Sequence, residues 1–161
     1  MMNFDADPAF TKEIDEALIK FEASLGLPPP DSQNIPKDCL FMPLDELRKK
    51  NIVELAEFSY LITQHSLNIQ RLINKYKSWE RWTKAKLDEV TASYIPEVGE
   101  GYGFNERILM ARHTPELCKK LNSFLRKVQM HLDRLYGIPD HIKMMAENIR
   151  DLRYAMQKNN S

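Results

Sequence analysis

Apolar residues recur at alternating spacings of three and four along residues 51–94, a stretch that contains neither glycine nor proline. The repeat runs through Leu55, Phe58, Ile62, His65, Ile69, Leu72, Tyr76, Trp79, Thr83, Lys86 and Val90, with Leu87 beside the weak position Lys86. This spacing predicts one long amphipathic helix. A stripe that repeats every ~3.5 residues stays against a partner helix only if the two helices wrap around each other, so we expect coiled-coil-like packing.

A second stripe with the same alternation lies downstream and supplies the partner. It comprises Leu121, Phe124, Val128, His131, Leu135, Ile138, Ile142, Met145, Ile149, Leu152 and Met156. The two stripes predict an all-α fold, a long antiparallel helical hairpin with coiled-coil-like packing. A rod of this kind has a large surface for its volume, so we expect several copies to associate.

The second stripe contains Gly137 and Pro139, which raises the question of whether the helix continues. An internal proline removes one backbone hydrogen bond and clashes with the carbonyl four residues earlier, at a cost of about 3 kcal/mol. The apolar phase nevertheless passes this point without a slip. We therefore predict a kinked but continuous helix, with a break into two helices as the alternative.

The residues before the long helix divide into two parts. Residues 1–27 predict an acidic helical arm, because Pro8 follows the capping residue Asp7 and an apolar stripe continues up to Gly26. Residues 28–50 predict a linker with three consecutive prolines, which is stiff and makes the arm separable, and a short helical turn after Pro43. The hairpin domain then covers residues 51–157, and Asn51 with Glu54 predicts a capping box at its start.

Residues 95–105 connect the two long segments and contain three glycines at alternate positions, Gly99, Gly101 and Gly103. A phosphate-binding loop is rejected, because no strand precedes the glycines and no Lys-Ser/Thr pair follows them. A helical hairpin needs a bend here in any case. We expect Tyr102 and Phe104 to close the end of the hairpin.

The formal net charge is zero, which argues against a uniformly basic coat for nucleic acid. The charges are unevenly distributed, however: residues 1–49 carry five Lys and Arg against ten Asp and Glu, and residues 100–161 carry eleven against seven. This polarity permits a head-to-tail or arm-to-rod contact inside an oligomer, or a basic face for a polyanion with an acidic arm for a protein partner. Two solvated faces of different sign are an equally good interpretation.

The sequence predicts a cytoplasmic protein that is not an enzyme. Cys39 and Cys118 have no spacing typical of a metal site or a disulfide framework, and no signal peptide or membrane-spanning apolar run is evident. His65 and His131 fall on the apolar stripes, where packing is the simpler role. No pair of carboxylates can be assigned as acid and base, so we expect no catalytic residue, metal or cofactor.

The most informative cluster combines cations with tryptophans on the long helix. On a helix, Arg71, Lys75, Trp82 and Lys86 share one flank, while Lys77, Arg81 and Lys84 share another. Cations for phosphates and an aromatic face for a stacked base are the combination that binds single-stranded nucleic acid. Lys119, Lys120, Arg126 and Lys127 would extend this patch in an antiparallel hairpin. The alternative is an ordinary solvated helix with Trp82 buried against a neighbouring subunit.

Residues 51–156 resemble the UvsY-type recombination mediators of tailed bacteriophages. The resemblance is carried by the basic-aromatic run 71–86, the short connection, and a final segment that ends in Ile149-Arg-Asp-Leu152-Arg. The family's paired tyrosines and glycine are represented here only by Tyr94 and Gly99, and residues 1–43 have no counterpart in it.

The resemblance implies a ring-forming protein that binds single-stranded DNA in the host cytoplasm. It implies two protein partners, a RecA-like recombinase and the single-strand-binding protein that the recombinase replaces. The residues that correspond to the family's DNA-contacting run are Lys75, Lys77, Arg81, Lys84 and Lys86. The leading hypothesis is therefore a non-enzymatic, oligomeric recombination mediator, and the alternative is a structural, assembly or adaptor protein that does not bind nucleic acid.

Overall fold

The computed structural model describes residues 8–27, 37–98 and 101–159, and these residues form an all-α fold without a strand. The helices are α1 (Pro8–Ser24), α2 (Lys37–Leu40), α3 (Leu44–Leu47), α4 (Ile52–Tyr94), α5 (Phe104–His113), α6 (Glu116–Leu135) and α7 (Ile138–Asn159), with a 3₁₀ turn at Ile95–Glu97. The predicted all-α class is confirmed.

The longest helix, α4, begins and ends where the apolar pattern predicts. It spans 43 residues without interruption. At its start the Asn51 side chain accepts a hydrogen bond from the Glu54 amide at 2.9 Å, and the Glu54 carboxylate accepts one from the Asn51 amide at 2.8 Å. This reciprocal capping box is the predicted cap, and it satisfies two amides that would otherwise lack a helical partner.

The chain forms two compact units, and each contains one part of α4. The first unit joins α1 to Asn74–Arg134, and the second joins Gly26–Ile73 to the segment from Leu135 onward. The predicted division into an arm at 1–27, a linker at 28–50 and a hairpin domain at 51–157 stays a prediction.

In the second unit, the first part of α4 packs with α7. The buried residues of this core are Cys39, Leu55, Ile62, Ile142, Ala146 and Ile149. Two serines of α4 donate hydrogen bonds to α7 carbonyls, Ser59 to Ala146 at 3.0 Å and Ser66 to Pro139 at 3.0 Å. These bonds add directional contacts to a core that is otherwise apolar.

In the first unit, the later part of α4 packs with α6 through two clusters. The cysteine cluster consists of Leu87, Val90, Cys118 and Leu121. The aromatic cluster consists of the buried Trp79, Phe124 and Val128, with Ile14, Tyr76 and Leu132 against them. The predicted stripe residues of α4 and α6 therefore meet in a shared core.

The predicted continuous helix across Gly137 is wrong. Helix α6 ends at Leu135, and α7 begins at Ile138. Gly137 lies between the two helices and has a φ of +74°. This left-handed conformation cannot occur within a right-handed helix, and glycine adopts it without a steric cost. The alternative of two helices is correct.

Two further details differ from expectation. Tyr102 and Phe104 do not close the end of a hairpin core, since 49% and 63% of their surfaces are exposed. The short helix α2 occurs in a segment expected to be loop. The predicted Asp7 cap, the three prolines at 28–30 and Gly99 lie outside the described residues.

Candidate nucleic-acid interface

The basic residues of α4 fall into groups with different surroundings. Arg71 lies in the second unit and is buried, with 8% of its surface exposed. The other predicted contacts, from Lys75 onward, lie in the first unit together with Lys119 and Lys120. The structure therefore does not present Arg71 as part of an exposed basic face.

Lys77, Arg81 and Lys84 form the basic stripe, and all three are exposed on α4. Their spacings of four and three residues place them on one side of the helix. The Lys84 ammonium also lies 2.7 Å from Glu80 Oε1. The hydrogen bond from Lys84 is the main reason that the pKa of Glu80 is lowered, and a second bond from Gln129 of α6, at 3.1 Å, acts in the same direction.

The Gln129 contact places part of α6 next to the basic stripe. Gln129 also lines a shallow depression on α6, together with Arg126, Met130, Asp133 and Arg134. Two guanidinium groups therefore border the residue that connects α6 to Glu80. Arg134 was not among the residues that the sequence assigned to the basic patch, because sequence spacing alone does not reveal the contact between Gln129 and Glu80.

The other flank of α4 is less available to a ligand than predicted. The Lys75 ammonium lies 3.2 Å from Asp15 of α1, and Lys86 lies 2.9 Å from Glu89. The Trp82 ring is partly buried and packs against the cysteine cluster. Trp82 is thus engaged in a contact within the protein, which limits its use as a stacking surface.

Lys119 and Lys120 are exposed on α6. They lie between Cys118 and Leu121, whose side chains pack against Leu87 and Val90 of α4. The two lysines are therefore carried by the part of α6 that adjoins the end of α4.

Contacts with the aromatic cluster explain why His131, on the second apolar stripe, is a packing residue. The His131 and Tyr76 rings stack at 5.5 Å, and the Tyr76 and Trp79 rings meet edge to face at 5.3 Å. Burial lowers the pKa of His131 and raises the pKa of Tyr76, because it disfavours the charged form of each. Packing on the apolar stripe therefore favours the neutral form of both groups.

Asp15 is a site residue that the sequence did not identify. Its carboxylate accepts a hydrogen bond from Trp79 Nε1 at 2.8 Å in addition to its ion pair with Lys75. The available signal was the acidic arm opposite a basic run, but charge polarity does not say which carboxylate meets which cation.

The described part of the chain contains no group of three or more His, Cys, Asp and Glu side chains that could hold a metal ion. None of the helices in the described ranges combines the length and apolar character needed to cross a membrane. No family model matches the sequence, and neither a curated protein nor a solved structure matches it significantly. The residues thus define an all-helical protein with an exposed basic stripe.

Proposed function

We propose that this chain is a non-enzymatic accessory protein that binds single-stranded DNA. The observation that supports the proposal is the exposed basic stripe, Lys77, Arg81 and Lys84, on an uninterrupted helix. Arg126 and Arg134 line a depression on α6 together with Gln129, which donates a hydrogen bond to Glu80 of α4. In this proposal α4 pairs antiparallel with α6, so that both helices present cations to the same strand.

The proposal requires more than one copy of the chain. Lys84 is paired with Glu80, which offsets part of the positive charge of the stripe. Each neutralised phosphate of a single strand contributes about −0.7 to the slope of log affinity against log salt. Because this electrostatic contribution grows with the number of phosphate contacts, a few contacts per chain give weak binding. Association of several chains would multiply the contacts along one strand.

Charge reversal within the stripe tests the proposal. Lys77→Glu with Arg81→Glu should weaken binding of a labelled oligothymidylate at least about tenfold at low salt, because two attractive contacts become repulsive. Fluorescence anisotropy measures the affinity, and circular dichroism checks that the helix content is unchanged.

The matched control is Lys143→Glu with Arg150→Glu, two exposed residues of α7 in the second unit. This pair changes the net charge by the same amount and should have a much smaller effect. Equal losses in both double variants would mean that net charge rather than the stripe governs binding. Absence of binding by the wild type at low salt would refute the proposal.

The role of recombination mediator rests on the resemblance to the UvsY-type family. It adds a RecA-like recombinase and a single-strand-binding protein as partners. A strand-exchange assay with both partners tests this part separately, and it predicts that the chain relieves inhibition by the single-strand-binding protein.

The second candidate is a structural or assembly protein. It is favoured by an exposed apolar stripe on the first part of α4: Val53, Tyr60 and Leu67 recur every seven residues and are 65%, 64% and 46% exposed. A seven-residue apolar repeat is the pattern by which one helix packs along another. In this alternative a second copy covers the stripe, and the oligomer is indifferent to DNA.

A further inference from the structure

The arm helix α1 is fastened to the first unit through one carboxylate that has two partners. Asp15 Oδ1 accepts a hydrogen bond from Trp79 Nε1 at 2.8 Å, and Asp15 Oδ2 lies 3.2 Å from Lys75 Nζ. The same ammonium lies 4.7 Å from the centre of the Trp79 ring. Ammonium, indole and carboxylate therefore form one connected contact.

The two groups that hold Asp15 are donors that would suit an anionic ligand equally well. Lys75 belongs to the basic run, and its ammonium is engaged by a carboxylate of the same chain. Charge-assisted hydrogen bonds of this kind are the contacts that a phosphate oxygen makes with lysine. Asp15 thus forms an ion pair with Lys75, a residue that the sequence predicts to contact nucleic acid.

Two described side chains in the first half of α1 pack against the first unit. Thr11 is buried at 5% exposure, and Ile14 packs against the aromatic cluster. Further along the helix, Ile19, Phe21 and Leu25 are 63%, 61% and 60% exposed. The described apolar side chains of α1 are therefore only partly used in packing against the first unit.

We propose that α1 is an internal competitor of single-stranded DNA: docked through Asp15, it withholds Lys75, and the bound strand displaces it. This inference rests on the proposed function and adds a regulatory step to it. The exchange replaces one carboxylate with a phosphate at the same ammonium, and it frees the indole N–H of Trp79. The arm raises the threshold for binding, so that short or weakly charged ligands are excluded.

Two single substitutions on α1 test the inference. Asp15→Ala removes the competing carboxylate, whereas Glu16→Ala makes the same charge change at an exposed neighbouring position. We expect Asp15→Ala to bind oligothymidylate about two- to fivefold more tightly than Glu16→Ala, because loss of a partly exposed ion pair changes an equilibrium by about that factor. Equal affinities of the two variants would overturn the inference.

A second measurement follows α1 directly in the wild-type chain. The Trp79 indole N–H gives a resonance in a ¹⁵N-labelled sample, which is distinguished from that of Trp82 in a Trp82→Phe variant. Addition of oligothymidylate should move the Trp79 resonance towards its position in unbound Asp15→Ala. If the strand binds and the resonance stays in place, α1 remains docked and the inference is wrong.

The two measurements separate this inference from the proposed function. If none of the three proteins binds oligothymidylate at low salt, the proposed function fails and the competition fails with it. If all bind, and only the difference between Asp15→Ala and Glu16→Ala is absent, the chain binds DNA without regulation by α1.

Discussion

Gly137 is the residue whose conformation decides how the second half of the chain folds. Its φ of +74° is accessible to glycine and costs other residues about 1 to 2 kcal/mol. A β-carbon added at this position would contact only the His141 ring, at 3.8 Å, which is an ordinary distance. The cost of a side chain here is therefore one of backbone conformation.

Gly137→Ala should lower the free energy of unfolding by about 1 to 2 kcal/mol, measured by urea denaturation. Gly101→Ala is the matched control, because it has no positive φ and no atom within 4 Å of an added β-carbon. A loss of similar size in both variants would show that the left-handed turn is not the cause.

Burial of His65 and His131 makes stability depend on pH. Both pKa values are lowered from the ordinary 6.5, mainly by burial. The unfolded chain therefore binds more protons than the folded chain as pH falls through about 6.5, and stability decreases in that range. Unfolding measured between pH 8 and pH 5 should show this decrease, and the double change His65→Gln with His131→Gln should reduce it. An unchanged slope in the double variant would contradict this prediction.

At the residue scale, sequence spacing predicted the buried packing positions of α4 better than it predicted the exposed residues of the nucleic-acid patch. The predicted packing positions Leu55, Ile62, Thr83 and Leu87 have no exposed surface. Trp82 was placed on the outside, but its ring packs against the cysteine cluster. Helical position indicates which side a residue occupies, whereas a large side chain at the edge of a seam can turn inward.

At the scale of elements, the apolar phase was a good guide to α4 and a poor guide to the break between α6 and α7. Two helices that pack against one partner helix share a seam, so their apolar positions can stay in phase even when a turn separates them. The glycine in that turn and the proline just after it were therefore the better signal. The proline is also explained, since Pro139 lies in the first turn of α7, where its missing N–H is not needed.

The position of Pro139 predicts whether its replacement raises or lowers the stability of the protein. Pro139→Ala should destabilise the protein by about 1 kcal/mol, because it removes a buried ring and gives the unfolded chain more freedom. In a continuous helix, removal of an internal proline would stabilise the protein by up to about 3 kcal/mol. Chemical denaturation distinguishes the two, and Pro115→Ala, just before α6, serves as a comparison at another helix start.

At the scale of the whole molecule, ion pairs balance part of the positive charge of the basic run on α4. Lys75, Lys84 and Lys86 each face a carboxylate, and two of the three pairs are formed within α4. Segment counts allowed a contact between the acidic arm and the basic residues 100–161, whereas the ion pair of α1 joins Asp15 to Lys75, which lies outside that basic segment. The counts did not predict the pairs within α4, because neighbouring charges cancel in a sum.

The exposed stripe on the first part of α4 predicts the assembly state. Tyr60→Glu with Leu67→Glu should reduce the mass in light scattering to that of a single chain, because charge would replace apolar surface at the contact between copies. Leu109→Glu, which alters an exposed residue of α5, should leave the mass unchanged. A wild-type chain that is already monomeric, or an unaltered mass in the double variant, would exclude this stripe as the contact.

Each unit contains one of the two cysteine thiols, and both thiols are buried and unbridged. Cys118 belongs to the cysteine cluster of the first unit, and Cys39 to the core of the second. A thiol inside a core reacts with an alkylating reagent only during an opening of the surrounding residues. Mass spectrometry after timed alkylation would therefore measure the rate of opening of each unit separately, with Cys39 and Cys118 as reporters that need no substitution.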